Sequence, residues 1–301
     1  MDGRVVLEGV DGRKFSGVCS LNGEVYVRYY EKDDDTVTLE VWDLRRKKLR
    51  CKQDNLPNVY HVIVSSNGDY VVYFMIDTVY KYNTRTGKIV YTRPIIKRPD
   101  IKQYICKLSM SENANDILIS VMTIVRETGE KSYSCYICHR ANPLVTHNSP
   151  CDYYINGNGK RVVGVSKTGE LSYNVKIYDN TGVEIAAHMI THINESAPPN
   201  IAMTYDGSII YACFTGYKLR TMYIMGGEMQ CDKATICKRP LERGKLDCSK
   251  YGTTVISTGL DIRDRLVSRM YSLTDKTARD CEIPVAYRYH VNAYSGVVKY
   301  V

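Results

Sequence analysis

The chain has 301 residues, 44% of them hydrophobic and 25% charged, with a formal net charge of +8. That balance supports a sizeable core and argues against disorder, while no apolar run reaches the length needed to span a bilayer. The N-terminal stretch carries acids and no apolar segment, so it does not read as a secretory signal, and an intracellular location (cytoplasmic, or nuclear) is expected.

The predicted elements are almost all strands. Arg4–Gly9 is a lone strand, and a first full unit follows from about Phe15 to Lys52, with Val37–Asp43 as its third strand and Leu49–Lys52 as its fourth. Val59–Arg93 is the clearest unit. Its strands Val59–Ser65, Tyr70–Ile76, Val79–Asn83 and Lys88–Thr92 are separated by Ser66-Asn67-Gly68-Asp69, Asp77-Thr78 and Thr84-Arg85-Thr86-Gly87. Asn-Gly supplies the positive φ of a tight hairpin, and β-branched and aromatic residues fill the runs between turns. A third unit covers about 104–148 and a fourth about 151–190. A fifth covers about 198–238 and a sixth about 245–284, and Tyr287–Ala293 with Val297–Val301 ends the chain.

One four-stranded meander cannot bury both of its faces alone. This one repeats. The first turn of each unit carries Gly23, Gly68, Ala114, Gly159, Gly207, Gly252 and Gly296, at steps of 45, 46, 45, 48, 45 and 44 residues. A period of that length built from four strands is the signature of propeller blades. The expected architecture is therefore all-β: a single β-propeller domain over residues 1–301 with seven blades, or six if the C-terminal hairpin joins blade six. The last blade is short of strands, and Arg4–Gly9 is expected to pair with it, which would close the ring and remove open edges.

Trp42-Asp43 ends a third strand and is followed by a turn and a short fourth strand, with Tyr82-Asn83, Tyr178-Asp179 and Tyr271-Ser272 at equivalent points. In this the chain resembles the WD40-like repeat superfamily, in a divergent form. There is no Gly-His dipeptide, so the family's buried Asp–His–Ser/Thr–Trp network does not carry over. The resemblance implies a protein-interaction scaffold.

Signals for catalysis are weak. Gly157-Asn158-Gly159-Lys160 is followed by Arg161 where a phosphate-binding loop needs Ser or Thr, and no Gly-x-Ser-x-Gly elbow occurs. Cys135-x-x-Cys138-His139 spells a haem-attachment pattern, but residues three apart on a strand point to opposite faces. His188 and His192 are four apart with no acid between them. The eleven cysteines read as small buried hydrophobes kept reduced, and the 26 tyrosines (against 3 Phe and 1 Trp) as mostly structural. No enzyme activity, cofactor or metal is expected.

The candidate partner-binding residues are charged loops. On the face that carries the blade-joining loops lie Lys97, Arg98 and Lys102, then Lys238, Arg239, Arg243 and Lys245, and the acidic Asp33, Asp34 and Asp35. Arg45, Arg46, Lys47 and Lys48 form a secondary basic patch on the opposite face. The expected function is a non-catalytic scaffold that binds partner proteins through its loop faces and blade edges. The alternative is a propeller that contacts nucleic-acid phosphates through the same basic loops. An enzyme or carbohydrate-binding propeller is the third reading.

Overall fold

In the computed structural model of the chain, each of the first six units is a four-stranded antiparallel sheet whose strands pair in chain order. The structure describes residues 15–20, 24–32, 34–95, 98–170, 172–191, 200–213, 220–225, 228–231, 242–248, 254–260, 266–272, 277–282, 289–291 and 298–300. Sheet one is β1 (Phe15–Cys19), β2 (Val25–Glu31), β3 (Thr36–Asp43) and β4 (Lys48–Pro57). Sheet two is β5 (Val59–Val64), β6 (Tyr70–Met75), β7 (Thr78–Asn83) and β8 (Lys88–Pro94). Sheet three is β9 (Ile101–Met110), β10 (Ile117–Val125), β11 (Lys131–Ile137) and β12 (Val145–His147). Sheet four is β13 (Cys151–Ile155), β14 (Arg161–Gly169), β15 (Ser172–Asp179) and β16 (Glu184–Thr191). Sheet five is β17 (Asn200–Met203), β18 (Ile209–Cys213), β19 (Arg220–Met225) and β20 (Glu228–Cys231). Sheet six is β21 (Glu242–Cys248), β22 (Thr254–Leu260), β23 (Leu266–Ser272) and β24 (Thr277–Glu282).

β25 (Tyr289–Val291) and β26 (Val298–Tyr300) pair with each other as a separate two-stranded sheet. The expected pairing of Arg4–Gly9 with this last sheet lies outside the described residues. Among the described residues there is no helix, and so none long and apolar enough to cross a membrane.

Sheets one to five stack face to face in series. Successive residues of a second strand point into opposite interfaces, so both faces are buried and the strand reads as a continuous apolar run rather than an alternating one. In β10, Ile117, Ile119 and Val121 pack with Val72 and Val79 of sheet two, while Leu118 packs with Tyr153 and Ile155 of sheet four. In β6, Val71 and Tyr73 pack with Val25, Val27 and Leu39 of sheet one. In β14, Val163 and Val165 pack with Ile201 and Ile210 of sheet five. First strands of successive sheets touch (β1 with β5, β5 with β9, β9 with β13, β17 with β21), which places them around the central axis. This is the propeller arrangement that the turn spacing predicts.

The repeated first turn has a device beyond its Asn-Gly. A Ser, Thr or Asn at the end of the first strand caps the amide five residues on. The Val25 amide donates to Ser20 Oγ at 2.9 Å, Tyr70 to Ser65 Oγ at 2.9 Å and Asp116 to Ser111 Oγ at 3.0 Å. Arg161 donates to Asn156 Oδ1 at 2.9 Å and Ile209 to Thr204 Oγ1 at 3.1 Å. The same turns bond to one another across blades. The Ser66 amide donates to the Glu112 carbonyl (3.0 Å), Glu112 to Gly157 (2.8 Å) and Asn158 to Tyr205 (3.0 Å). A belt of hydrogen bonds thus ties sheets two to five together on the side opposite the blade-joining loops.

Sheet one departs from the apolar pattern on its other face. Glu40 Oε2 accepts from Arg28 Nε (3.0 Å), Arg28 Nη2 (2.6 Å) and the Trp42 indole (3.0 Å), and Oε1 accepts from the Tyr30 hydroxyl (3.1 Å). Trp42 therefore serves a carboxylate on its own sheet.

Candidate docking face

Loops leaving each fourth strand meet loops joining second to third strands on one side of the molecule. The Ile95 amide donates to the Asp77 carbonyl at 2.7 Å, and the Arg126 amide to the Asp100 carbonyl at 2.9 Å. This is the face on which the charged candidates were expected, and the structure divides them.

The acidic loop serves its own turn. Asp34 Oδ1 accepts from the Thr36 amide (3.1 Å) and hydroxyl (2.5 Å), and the Thr36 hydroxyl beside it holds the carboxyl below its ordinary range. Asp35 sits at φ 58° and its amide donates to the Lys32 carbonyl at 3.3 Å. Arg98 forks onto Asp100, Nε to Oδ1 at 3.1 Å and Nη2 to Oδ2 at 2.5 Å, so its charge is balanced within the loop.

Three basic candidates lie in strands, not loops. Lys102 is inside β9, which begins at Ile101 because β10 runs on to Val125 and offers it partners. Arg243 and Lys245 are inside β21, beside a register shift against β22. Asp33, Lys97, Lys238 and Arg239 lie outside the described residues.

The secondary patch is a turn between β3 and β4. Arg45 is 3.7 Å from Glu24, the Arg46 amide donates to Asp43 Oδ1 at 2.8 Å, Lys47 sits at φ 53°, and Lys48 opens β4 opposite Asp43. Burial would raise the Asp43 pKa, but the Arg46 amide and the Arg50 guanidinium outweigh it and hold the carboxyl low.

What this face offers instead is apolar and aromatic. Tyr60 of β5 is 52% exposed, Ile76 in the β6–β7 turn 65%, and Tyr104 of β9 37%. Tyr60 lies opposite Phe74 on β6, ring centroids 6.5 Å apart. Immediately after it the register of β5 against β6 shifts between Tyr60 and Ile63, and His61 takes φ 52°. A bulge of this kind re-aims the neighbouring side chains. Ile76 takes φ 57°, a conformation that a β-branched residue rarely adopts. On β9 the exposed positions alternate as Lys102, Tyr104 and Cys106, and the Lys102 ammonium lies 4.8 Å from the Tyr104 ring centroid. Since β5 and β9 touch, Tyr60 and Tyr104 come from neighbouring strands at the axis, and Ile76 follows Met75, which pairs with Val59 beside Tyr60.

The sequence reading passed over Tyr60, Ile76 and Tyr104 because they sit within runs that scan as strand core. Two signals mark them: the broken alternation at Tyr60-His61, and the polar partners Lys102 and Cys106 on the same register as Tyr104.

The haem-like motif does not assemble. Cys135 packs in the interface with sheet four, whereas Cys138 packs in the interface with sheet two. Burial pushes the Cys135 and Cys151 thiols up to about 12 and the Cys138 thiol up to about 11, which keeps all three protonated. His188 lies on β16 and His192 outside the described residues. Among the described residues no three His, Cys, Asp or Glu side chains converge as metal ligands.

No protein-family model matches the sequence, and no curated protein is significantly similar to it. Solved structures are. The chain is similar to the WD40 domain of SCAP from fission yeast, with a TM-score of 0.58 and 11% identity over 92% of this chain and 74% of that one. It is similar to a chain of a mitotic checkpoint complex, with a TM-score of 0.60 and 14% identity over 98% of this chain and 91% of that one. A third similar structure is an oligogalacturonate lyase in complex with manganese, TM-score 0.61 and 8% identity over 87% of this chain and 74% of that one. The likeness establishes the fold, a β-propeller.

Proposed function

We propose that this propeller is a non-catalytic scaffold that binds a partner protein on its blade-joining face, around Tyr60, Ile76, Lys102 and Tyr104. The observation that carries the reading is the exposure of Ile76 and Tyr60 beside backbone held at positive φ at Ile76 and His61. Costly backbone persists only where surrounding structure over-determines it, and such positions gather at binding sites. Tyrosines are enriched at the centres of protein interfaces, and Tyr60 and Tyr104 with the apolar Ile76 fit such a centre, with Lys102 at its polar edge. One of the similar chains is itself part of a protein complex.

Of the basic loop residues, the described Arg98 favours this reading over the nucleic-acid one. A phosphate-binding loop needs cations without local partners, and Arg98 is neutralised by Asp100. The test is co-purification of wild type and a Tyr60→Ser/Ile76→Ser variant, with folding checked by thermal midpoint. A defined protein held through moderate salt by wild type and lost by the variant is expected, while Arg98→Glu changes little. Nucleic acid released by salt, with no protein partner, would sink the proposal.

A further inference from the structure

A cleft opens between sheets two and three, on the face of β9 opposite Lys102 and Tyr104. It encloses about 340 Å³ including open solvent, and is lined by Arg93, Pro94, Ile95, Gln103, Ile119, Val121 and Tyr136. Ile119 and Val121 make an apolar floor, and the polar groups sit around it. Much of that space is open solvent, so the cleft is a shallow apolar notch at the surface and not a pocket that could enclose a cofactor.

Arg93 is held in place before any ligand arrives. Its Nη1 donates to the carbonyls of Ile137 (3.1 Å), Cys138 (2.5 Å) and Arg140 (2.6 Å), and its Cζ lies 5.5 Å from the Tyr136 ring centroid. The Tyr91 hydroxyl donates to the same Cys138 carbonyl. The hydrogen bonds from this guanidinium to backbone carbonyls leave from Nη1, the Tyr91 hydroxyl lies against it, and no carboxylate among the described residues pairs with it. Gln103 Nε2 donates to Thr123 Oγ1 at 3.1 Å, and its Oε1 makes no hydrogen bond to the described chain.

From this we infer a second docking site, for an acidic partner peptide that places an aliphatic side chain in the cleft and an adjacent carboxylate on the free edge of Arg93. An arginine fixed on one edge by carbonyls retains its charge and a two-donor edge for a carboxylate, with little side-chain freedom left to lose. Gln103 Oε1 is an acceptor for a peptide amide beside the aliphatic residue. The site borders the blade-joining face through Ile95, whose amide bonds to the Asp77 carbonyl, but it uses none of Tyr60, Ile76, Lys102 or Tyr104 and stands or falls separately from them.

The probe is an acetylated heptapeptide with one leucine flanked by aspartates, titrated into the full chain and followed by the methyl NMR signals of Ile95, Ile119 and Val121. Saturable shifts are expected. Replacing the aspartates by asparagine, or the leucine by alanine, should weaken binding by at least about tenfold, the effect of losing one charge-assisted bond or one buried side chain. Arg93→Gln should do the same. Because Arg93 also holds three carbonyls, Ile95→Glu is the second variant: it puts a like charge at the mouth and leaves those bonds intact. Octanoate has the same two chemical features without a backbone and should bind more weakly. Absence of saturable shifts, equal binding of the asparagine peptide, binding unaffected by Ile95→Glu, or tighter binding of octanoate would each overturn the assignment.

Discussion

Gly68 and Gly129 have nearly the same backbone, φ 73° and 71°, and different surroundings. A Cβ at Gly68 would lie 2.2 Å from Val25 Cγ2 of the neighbouring sheet, and Val25 is fully buried. A Cβ at Gly129 would meet nothing within 4 Å. Both substitutions to alanine carry the left-handed penalty of about 1 kcal/mol, and only Gly68→Ala adds an overpacking cost of about 1–3 kcal/mol. Denaturant midpoints should therefore separate the two variants clearly. Equal losses would mean that the turn does not nest against Val25.

His147 gives the protein a pH dependence of known sign. Burial lowers its pKa from the ordinary 6.5, the charge of Lys176 lowers it further, and Nε2 lies 3.1 Å from the Tyr178 hydroxyl. The folded state then binds the proton more weakly than the unfolded chain. Its cost is absent above pH 6.5, sets in as pH falls through that value, and is complete below the folded pKa. In equilibrium unfolding below that pH, His147→Gln should lose stability less steeply than wild type; parallel curves would contradict the account.

At the scale of elements, the face of sheet one that bears Arg28 and Glu40 makes the sharpest prediction. The two side chains are 7% and 9% exposed, and Glu40 takes four hydrogen bonds from three donor side chains. Glu40→Gln replaces an acceptor by a donor against Arg28 and should cost about 3–5 kcal/mol, the usual result of breaking one side of a buried pair. Arg28→Met with Glu40→Leu should recover much of that loss in urea unfolding. A loss below about 1 kcal/mol in Glu40→Gln would show that the pair is not desolvated.

Much of this was legible in the chain. The spacing of the turns places the strands of the first six sheets, and at the described turns Gly68, Ala114, Gly159 and Gly207 all take positive φ, 57° at Ala114. Cys135 and Cys138 face opposite interfaces, as strand alternation suggests, although β11 ends at Ile137 and Cys138 opens the turn after it. What escaped was set by pairing across strands. β9 and β21 begin earlier than their apolar residues suggest because partners reach them, which moves Lys102, Arg243 and Lys245 out of loops. The capping Ser20, Ser65, Ser111, Asn156 and Thr204 lie five residues ahead of the amides they hold, a spacing that the turn residues alone do not point to. Exposed Tyr60 and Ile76 depend on a bulge and a positive φ that local propensity does not announce.

At the scale of the whole molecule, two sets of contacts hold the sheets in series: apolar interfaces between faces, and the hydrogen-bonded belt from Ser66 through Glu112 and Asn158 to Tyr205. The belt fixes one side of the propeller and leaves the blade-joining side to carry Tyr60, Ile76 and Tyr104. Seven blades is the proposed count, with β25 and β26 as the described strands of the seventh.

Ile76 and Val183 provide a matched pair for testing which side binds. Both are branched aliphatics in turns, 65% and 62% exposed, and Val183 lies in the turn between β15 and β16 on the belt side. The measurement is photo-cross-linking in native cells from a benzoyl-phenylalanine placed at each position in turn. A discrete protein adduct from position 76, lost when Tyr60 and Tyr104 are changed to serine, with none from position 183, is the predicted result. Adducts from position 183 alone, or nucleic acid in place of protein at position 76, would contradict a protein-docking scaffold that works through its blade-joining face.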